Sequence, residues 1–302
     1  MPVLSLLPIL VYFAVGVLLR RVGIAGRDHG GFVFRLIFYV TLPALAFEAI
    51  VDMALDTRSA LLPMAAFVIN SICALAALVF VRWRQVPGPR AGAVVLGAGI
   101  ANMSFMFPYV LAVFGEQGLA NALLFDLGNA IFVATVAYVA ALRFGDAGTP
   151  RMLASLGRTL RSPIFIAVAA AIAVNLAGIR LPEVVGDVLG PLGRVTLPLI
   201  LIGLGIVFST DALKDSLPYA TVTLKMGLGF LLGVVLVTIL GLEGEVAAVV
   251  IASAAAPIGF SSVTLAGVAS LDAEQAGAAL SLSVLAGLVT TPLLLTFGAG
   301  WF

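Results

Sequence analysis

The chain has 302 residues, of which 62% are hydrophobic and only 10% charged, with a mean hydropathy of +1.20. A soluble domain carries about 25% charged residues, so this composition excludes a water-facing globule and predicts an all-α polytopic membrane protein. The net charge of +1 leaves no basic excess for nucleic acid, the lone Cys73 excludes an intrachain disulfide, and the lone His29 excludes a histidine-cluster metal site.

A helix that crosses a bilayer needs roughly 20 mainly apolar residues. In chain order the qualifying segments are 3–20, 32–51, 60–81, 91–113, 118–142, 163–179, 188–208, 217–240, 245–268 and 275–297. The first is followed by Arg20 and Arg21 rather than preceded by them, so it reads as a true span and not as a cleavable leader. Loops after odd-numbered segments carry Arg20, Arg21 and Arg27, then Arg82, Arg84 and Arg90, then Arg143, Arg151, Arg158 and Arg161, then Lys214. The other side has Arg58 and Arg180 in its loops, with Asp52, Asp56, Glu116, Glu183, Asp187, Glu243 and Glu245. The positive-inside rule therefore places the odd-numbered loops in the cytoplasm and both termini on the outer face. Residues 143–162, with Asp146 as their one acid, read as a cytoplasmic linker with a short amphipathic helix at 151–161.

The two sides of that linker, 1–142 and 163–302, repeat. Val40-Thr41-Leu42-Pro43 recurs as Val195-Thr196-Leu197-Pro198 at an offset of 155, which also takes Pro8 to Pro163, Gly23-Ile24 to Gly178-Ile179, Leu62-Pro63 to Leu217-Pro218 and Phe105 to Phe260. Towards the end of each half the offset becomes 158, with Glu116-Gln117 meeting Glu274-Gln275. Each half holds five segments, an odd number, so the second enters the membrane from the opposite side. Inverted repeats of this kind underlie alternating access in secondary transporters.

The fourth and ninth segments carry the strongest punctuation. The fourth contains Asn102, Phe105 and Pro108; the ninth contains Pro257, Gly259, Ser261 and Ser262, with Pro257 in the place of Asn102. Proline removes an amide donor and frees carbonyls, which lipid does not tolerate but protein or a wet cavity does. Two interrupted helices at corresponding positions point to a binding site at the membrane midplane; the alternative is a pair of ordinary proline kinks. Asn102, Phe105, Pro108, Pro257, Gly259 and Ser261 are the substrate-binding candidates.

Further polar groups lie at membrane depth. Asp126 and Asn129 are three apart on one helix face, suited to coordinating a cation, carrying a proton, or bonding within a cavity wall. Lys225 either extends to the interface or attracts an anion. Asn70 and Asn175 read as glue between helices, Arg35 as an interface anchor, Arg194 as an anchor or an attractor of anions, and Glu48 as a boundary residue. Gly229 and Gly233 allow close helix approach, and Thr290-Thr291-Pro292 marks a kink.

Taken in order, Gly23-Ile24, Tyr39-Val40-Thr41-Leu42-Pro43-Ala44, Asn102-x-x-Phe105-x-x-Pro108, Phe114-Gly115, Gly118, Pro198, Ala256-Pro257 and Thr290-Thr291-Pro292 resemble the auxin efflux carrier family across essentially the whole chain. The bacterial malonate-permease-like branch is the nearer likeness, because the long hydrophilic central loop of plant members is missing. The resemblance implies ten transmembrane helices as two inverted five-helix repeats, related in fold to the bile acid sodium symporters. Helices 4 and 9 would break and cross at the site, helices 1, 2, 6 and 7 form a scaffold, and helices 3–5 and 8–10 form a transport domain. It implies a carrier of small organic anions in the cytoplasmic (inner) membrane, with membrane lipid around it, homodimers in the family, no cofactor, and coupling to a sodium ion or proton as an open choice. Met103, Ser104, Met106 and Phe107 stand where members often have glycines, which favours a narrower or more apolar site. The alternatives are a sodium-coupled symporter like the bile acid group, a passive channel and an intramembrane enzyme. No His-x-x-x-His pair, Asp dyad or Gly-x-Ser-x-Gly element supports the last.

Overall fold

The computed structural model describes residues 7–53, 59–145, 152–207 and 216–298. Among these the protein is all-helical: the one β-type pairing is an isolated antiparallel bridge between Ala101 and Ile258. Asp56, Arg58, Asp146, Arg151 and Lys214, used above for charge placement, lie outside the described residues. The helices are α1 (Leu7–Arg21), α2 (Asp28–Val51), α3 (Leu62–Trp83), α4 (Gly88–Gly99), α5 (Met103–Phe144), α6 (Met152–Leu160), α7 (Pro163–Leu176), α8 (Glu183–Val207), α9 (Ser216–Leu240), α10 (Gly244–Ala254), α11 (Phe260–Val268) and α12 (Ala273–Gly298). Of these, α2, α3, α5, α8, α9 and α12 are long and apolar enough to cross a membrane.

Local chemistry sets the boundaries. Proline stands in the first turn of α3, α4 and α7, where its missing N–H has no partner to lose. Gly23, Gly178 and Gly241 follow α1, α7 and α9 at φ of 77°, 63° and 60°, the left-handed geometry that ends a helix. α5 runs for 42 residues, about 63 Å at 1.5 Å per residue, twice the hydrocarbon depth. It is divided at Gly115, whose φ of 68° and ψ of −157° are not helical, into arms 103–114 and 116–144. The short helix α6 falls where the linker was expected to be amphipathic.

The outside is apolar and part of the inside is polar, the reverse of a soluble fold. Leu75, Val79, Leu231, Val235 and Ile239 are each more than half exposed, whereas Asn70, Lys225, Ser253 and Ser283 are fully buried. Close backbone contact holds the helices. A Cβ on Gly16 of α1 would overlap the Ile202 carbonyl of α8, and one on Gly205 would overlap the Phe13 carbonyl. Gly229 and Gly233 meet α10 at Ala254 and Ile251, as small residues at helix seams do. α1 packs chiefly on the second half of α8, and α7 on the second half of α2.

Candidate functional site

Two helices stop and restart beside each other in the interior. α4 ends at Gly99, Ile100 is extended at φ −102° and ψ 120°, and Asn102 opens the 103–114 arm as its N-cap. α10 ends at Ala254, and Gly259 opens α11. The interrupted strands pair backbone to backbone: the Asn102 N–H donates to the Pro257 carbonyl at 2.8 Å, and the Gly259 N–H donates to the Ile100 carbonyl at 2.9 Å. Residue 259 must be glycine for this approach, because a Cβ there would lie 2.6 Å from the Ala101 carbonyl oxygen.

The remaining backbone groups freed by the breaks are met by side chains. Asn129, from the 116–144 arm, spans Ala101 on both sides: its Oδ1 accepts from the Ala101 N–H at 3.1 Å and its Nδ2 donates to the Ala101 carbonyl at 3.3 Å. Ser283 of α12 accepts from the Ile258 N–H at 2.9 Å. Lys225 Nζ donates to the Ala254 carbonyl, at the end of α10, at 3.4 Å. Unpaired backbone at this depth costs several kcal/mol per group, so these three side chains make the breaks affordable.

Two of them, Lys225 and Asn129, are also joined through Asn70. Lys225 Nζ donates to Asn70 Oδ1 at 3.2 Å, Asn70 Nδ2 donates to Asn129 Oδ1 at 3.0 Å, and Asn129 Nδ2 donates to Asp126 Oδ1 at 2.8 Å. One chain of hydrogen bonds thus runs from the end of α10 to the break after α4.

Some groups are left over. Asn102 Oδ1 accepts from the Phe105 N–H at 3.1 Å, but Asn102 Nδ2 is buried with no hydrogen-bond partner, as are Ser253 Oγ and the Tyr109 hydroxyl. The first turns of the 103–114 arm and of α11 also start at the breaks and present N–H groups there. An unpartnered donor beside two helix N-termini suits an anionic or carbonyl-bearing ligand.

Of the residues singled out in the sequence, Asn102, Pro257 and Gly259 lie in the paired breaks. Phe105 is buried one turn on, its ring 5.1 Å from that of Tyr109. Pro108 is buried inside the continuous 103–114 arm; the interruption comes six residues earlier, at Ile100–Asn102, because the extended backbone there is held by the partner strand. Ser261, in the first turn of α11, is exposed, while the adjacent Ser262 is fully buried and donates to the Gly259 carbonyl at 2.7 Å. Asp126 and Asn129 are hydrogen-bonded neighbours. Lys225 does not extend to an interface: it sits in a π-turn, Thr223–Gly227, with its ammonium fully buried between Asn70 and Ala254. Asn70 joins helices as expected, linking α3 to Asn129 of α5 and Lys225 of α9, whereas Ser283 was not singled out in the sequence. An asparagine in an apolar helix shows in sequence, but not the side it faces.

Asn175 bridges helices as expected, its Nδ2 donating to the carbonyls of Ile50, Val51 and Met53 at the end of α2. Thr291 donates to Met106 Sδ at 3.8 Å, tying α12 to the 103–114 arm. Two cavities lie to one side, between α2, α8 and the Gly115 bend. One of about 170 Å³ is lined by Leu45, Leu111, Arg194 and Leu197, one of about 490 Å³ by Asp52, Arg180 and Glu183, and both by Glu48 and Glu116. Glu48 is therefore more than a boundary residue: half-buried, it packs on Gly190 and Gly193 of α8 and faces both cavities.

Comparison with known proteins finds membrane transporters. The chain is 24% identical over 296 residues to an uncharacterized transporter of Methanothermobacter thermautotrophicus, covering 96% of each chain. It is 26% identical over 221 residues to an uncharacterized transporter of Methanocaldococcus jannaschii, covering 70% of this chain and 71% of the relative. Residues 2–295 match the family described as Membrane transport protein, and this multi-pass membrane chain belongs to that family, the auxin efflux carrier family.

Proposed function

We propose that the protein is a secondary transporter that moves a small organic anion, a carboxylate, across the cytoplasmic membrane by alternating access, with its substrate site at the paired helix breaks. The observation that carries this reading is the juxtaposition of the breaks: two helix N-termini and the unpartnered Asn102 Nδ2 converge at the paired breaks inside the protein. A substrate carboxylate accepts from those donors, and both ends of the site are fixed by side chains from α5, α9 and α12.

An inverted repeat of two five-helix halves accounts for further geometry. Asn102 and Pro257 are separated by the repeat offset of 155 and are hydrogen-bonded to each other; so are Asn70 and Lys225. Equivalent positions of two halves touch only on the axis that relates them. The packing of α1 on α8 and of α7 on α2 is the exchange such an axis produces, and Gly23 and Gly178, again 155 apart, end equivalent helices in one conformation. In this reading the four-helix group of α1, α2, α7 and α8 is the scaffold, the rest is the moving domain, the cavities at Glu48 and Glu116 open on the outer side, and both termini lie outside.

The test is uptake of labelled mono- and dicarboxylates into proteoliposomes under an imposed potential. Saturable uptake by the wild type, reduced at least about tenfold in Asn102→Ala by loss of a charge-assisted hydrogen bond, is expected. Absence of saturable uptake across the panel by folded protein, or uptake indifferent to Asn102, would refute the assignment.

A further inference from the structure

Lys225 has a fully buried ammonium that donates to two neutral oxygens, Asn70 Oδ1 at 3.2 Å and the Ala254 carbonyl at 3.4 Å. Among the described residues no carboxylate lies within ion-pair distance of it; Asp126 is reached only through Asn70 and Asn129. A buried ammonium without a counter-ion is costly, and Leu or Met would fill the same volume. The location explains why it is kept. Ala254 ends α10, and the C-terminal end of a broken membrane helix carries a partial negative charge and carbonyls without helical partners. In broken-helix transporters such ends, with side-chain oxygens, are where a coupling cation is held. Here one broken end is met by the ammonium of Lys225 and the other, at Ala101, by the amide of Asn129. At both ends the carbonyl is thus already taken up by an N–H donor of the protein.

We propose that the Lys225 ammonium is a tethered cation that takes the place of an inorganic coupling ion between the two helix breaks, so that the carrier holds its breaks together and moves its substrate without sodium. This rests on the carrier reading above for its second half, but the first half concerns ion binding to the folded protein and is measured without a substrate.

The experiment is thermal unfolding of the purified protein in lipid nanodiscs, in choline chloride with sodium chloride or ethylammonium chloride substituted at constant ionic strength. The wild type is expected to show the same midpoint in all three. Lys225→Ala, which removes the ammonium but keeps Asn70 and the Ala254 carbonyl, unfolds at lower temperature and recovers by about 5 °C or more when sodium or ethylammonium is present well above its dissociation constant. Lys225→Met, which fills the space, is destabilised and does not recover. Carboxylate uptake by the wild type stays within about twofold when choline replaces sodium. A sodium-dependent rise in the wild-type midpoint, a Lys225→Ala protein indifferent to both cations, or a Lys225→Met protein as stable as the wild type would each overturn the proposal. If Lys225→Ala does not fold, the wild-type titration and Lys225→Met decide it. If no carboxylate is transported in any buffer, the carrier reading fails while the unfolding series still decides the role of Lys225.

Discussion

Asn129 is the side chain whose removal tests the architecture of the breaks most sharply. It makes four hydrogen bonds: it accepts from Asn70 Nδ2 and the Ala101 N–H, and donates to the Ala101 carbonyl and Asp126 Oδ1. Asn129→Ala removes all four and leaves a buried amide, a buried N–H, a carbonyl and a carboxylate oxygen without those partners. Polar contacts between membrane helices average about 0.6 kcal/mol each and reach about 1.7, while a buried polar group stranded in protein costs about 1–3 kcal/mol. The loss therefore falls between about 2 and 7 kcal/mol, with the upper part of the range expected because Ala101 has no alternative helical partner. Ser71→Ala is the control: its Oγ donates to the Phe67 carbonyl one turn back in its own helix, a bond worth less than about 1 kcal/mol because the acceptor keeps its helical partner. Reversible unfolding in mixed micelles gives both values. An Asn129→Ala loss within about 1 kcal/mol of the Ser71→Ala loss would refute the claim that side chains from α5 hold the first break.

Further outcomes follow from the same contacts. Gly128→Ala places a methyl group on the Pro63 carbonyl of α3 and is expected to lower stability by about 1–3 kcal/mol or more through separation of α3 and α5; Gly267→Ala in α11, where a Cβ meets nothing within 4 Å, should be neutral or raise it by up to about 1 kcal/mol. The ranking of the two midpoints in a thermal shift assay checks this. Asn175→Ala removes three hydrogen bonds to the end of α2 and should cost about 1–3 kcal/mol, read as a lower midpoint and faster proteolysis near Asp52.

The helices were legible because their signals are local. Apolar runs of spanning length mark α2, α3, α8, α9 and α12 to within a few residues, and the gap between the segments 91–113 and 118–142 contains Gly115, where the 42-residue helix is divided. The approximate position of both breaks was visible in Asn102 and Pro257. Their register was not: Pro108 carries the louder sequence signal, yet it is housed inside a helix, and the actual interruption depends on pairing with a strand about 155 residues away. Ser261 and Ser262 differ only by one step of helix rotation, which the flanking sequence does not specify. Lys225 in an apolar segment reads as either an interface anchor or an attractor of anions, and only the fold brings Asn70 to it. One signal was present throughout: Asn70 and Lys225 are 155 apart, the same interval that relates the two halves.

The central claim is that the paired breaks line a pathway reached in turn from the two sides of the membrane. Its most direct measurement replaces the buried Cys73 with alanine, places a single cysteine at Ser104 in the first turn of the 103–114 arm, and follows its modification by a membrane-impermeant thiol reagent in right-side-out and inside-out vesicles. The account predicts modification from both faces, slowed by the transported carboxylate on each. Reaction from one face alone, or from both with no response to any carboxylate that the protein transports, would contradict it.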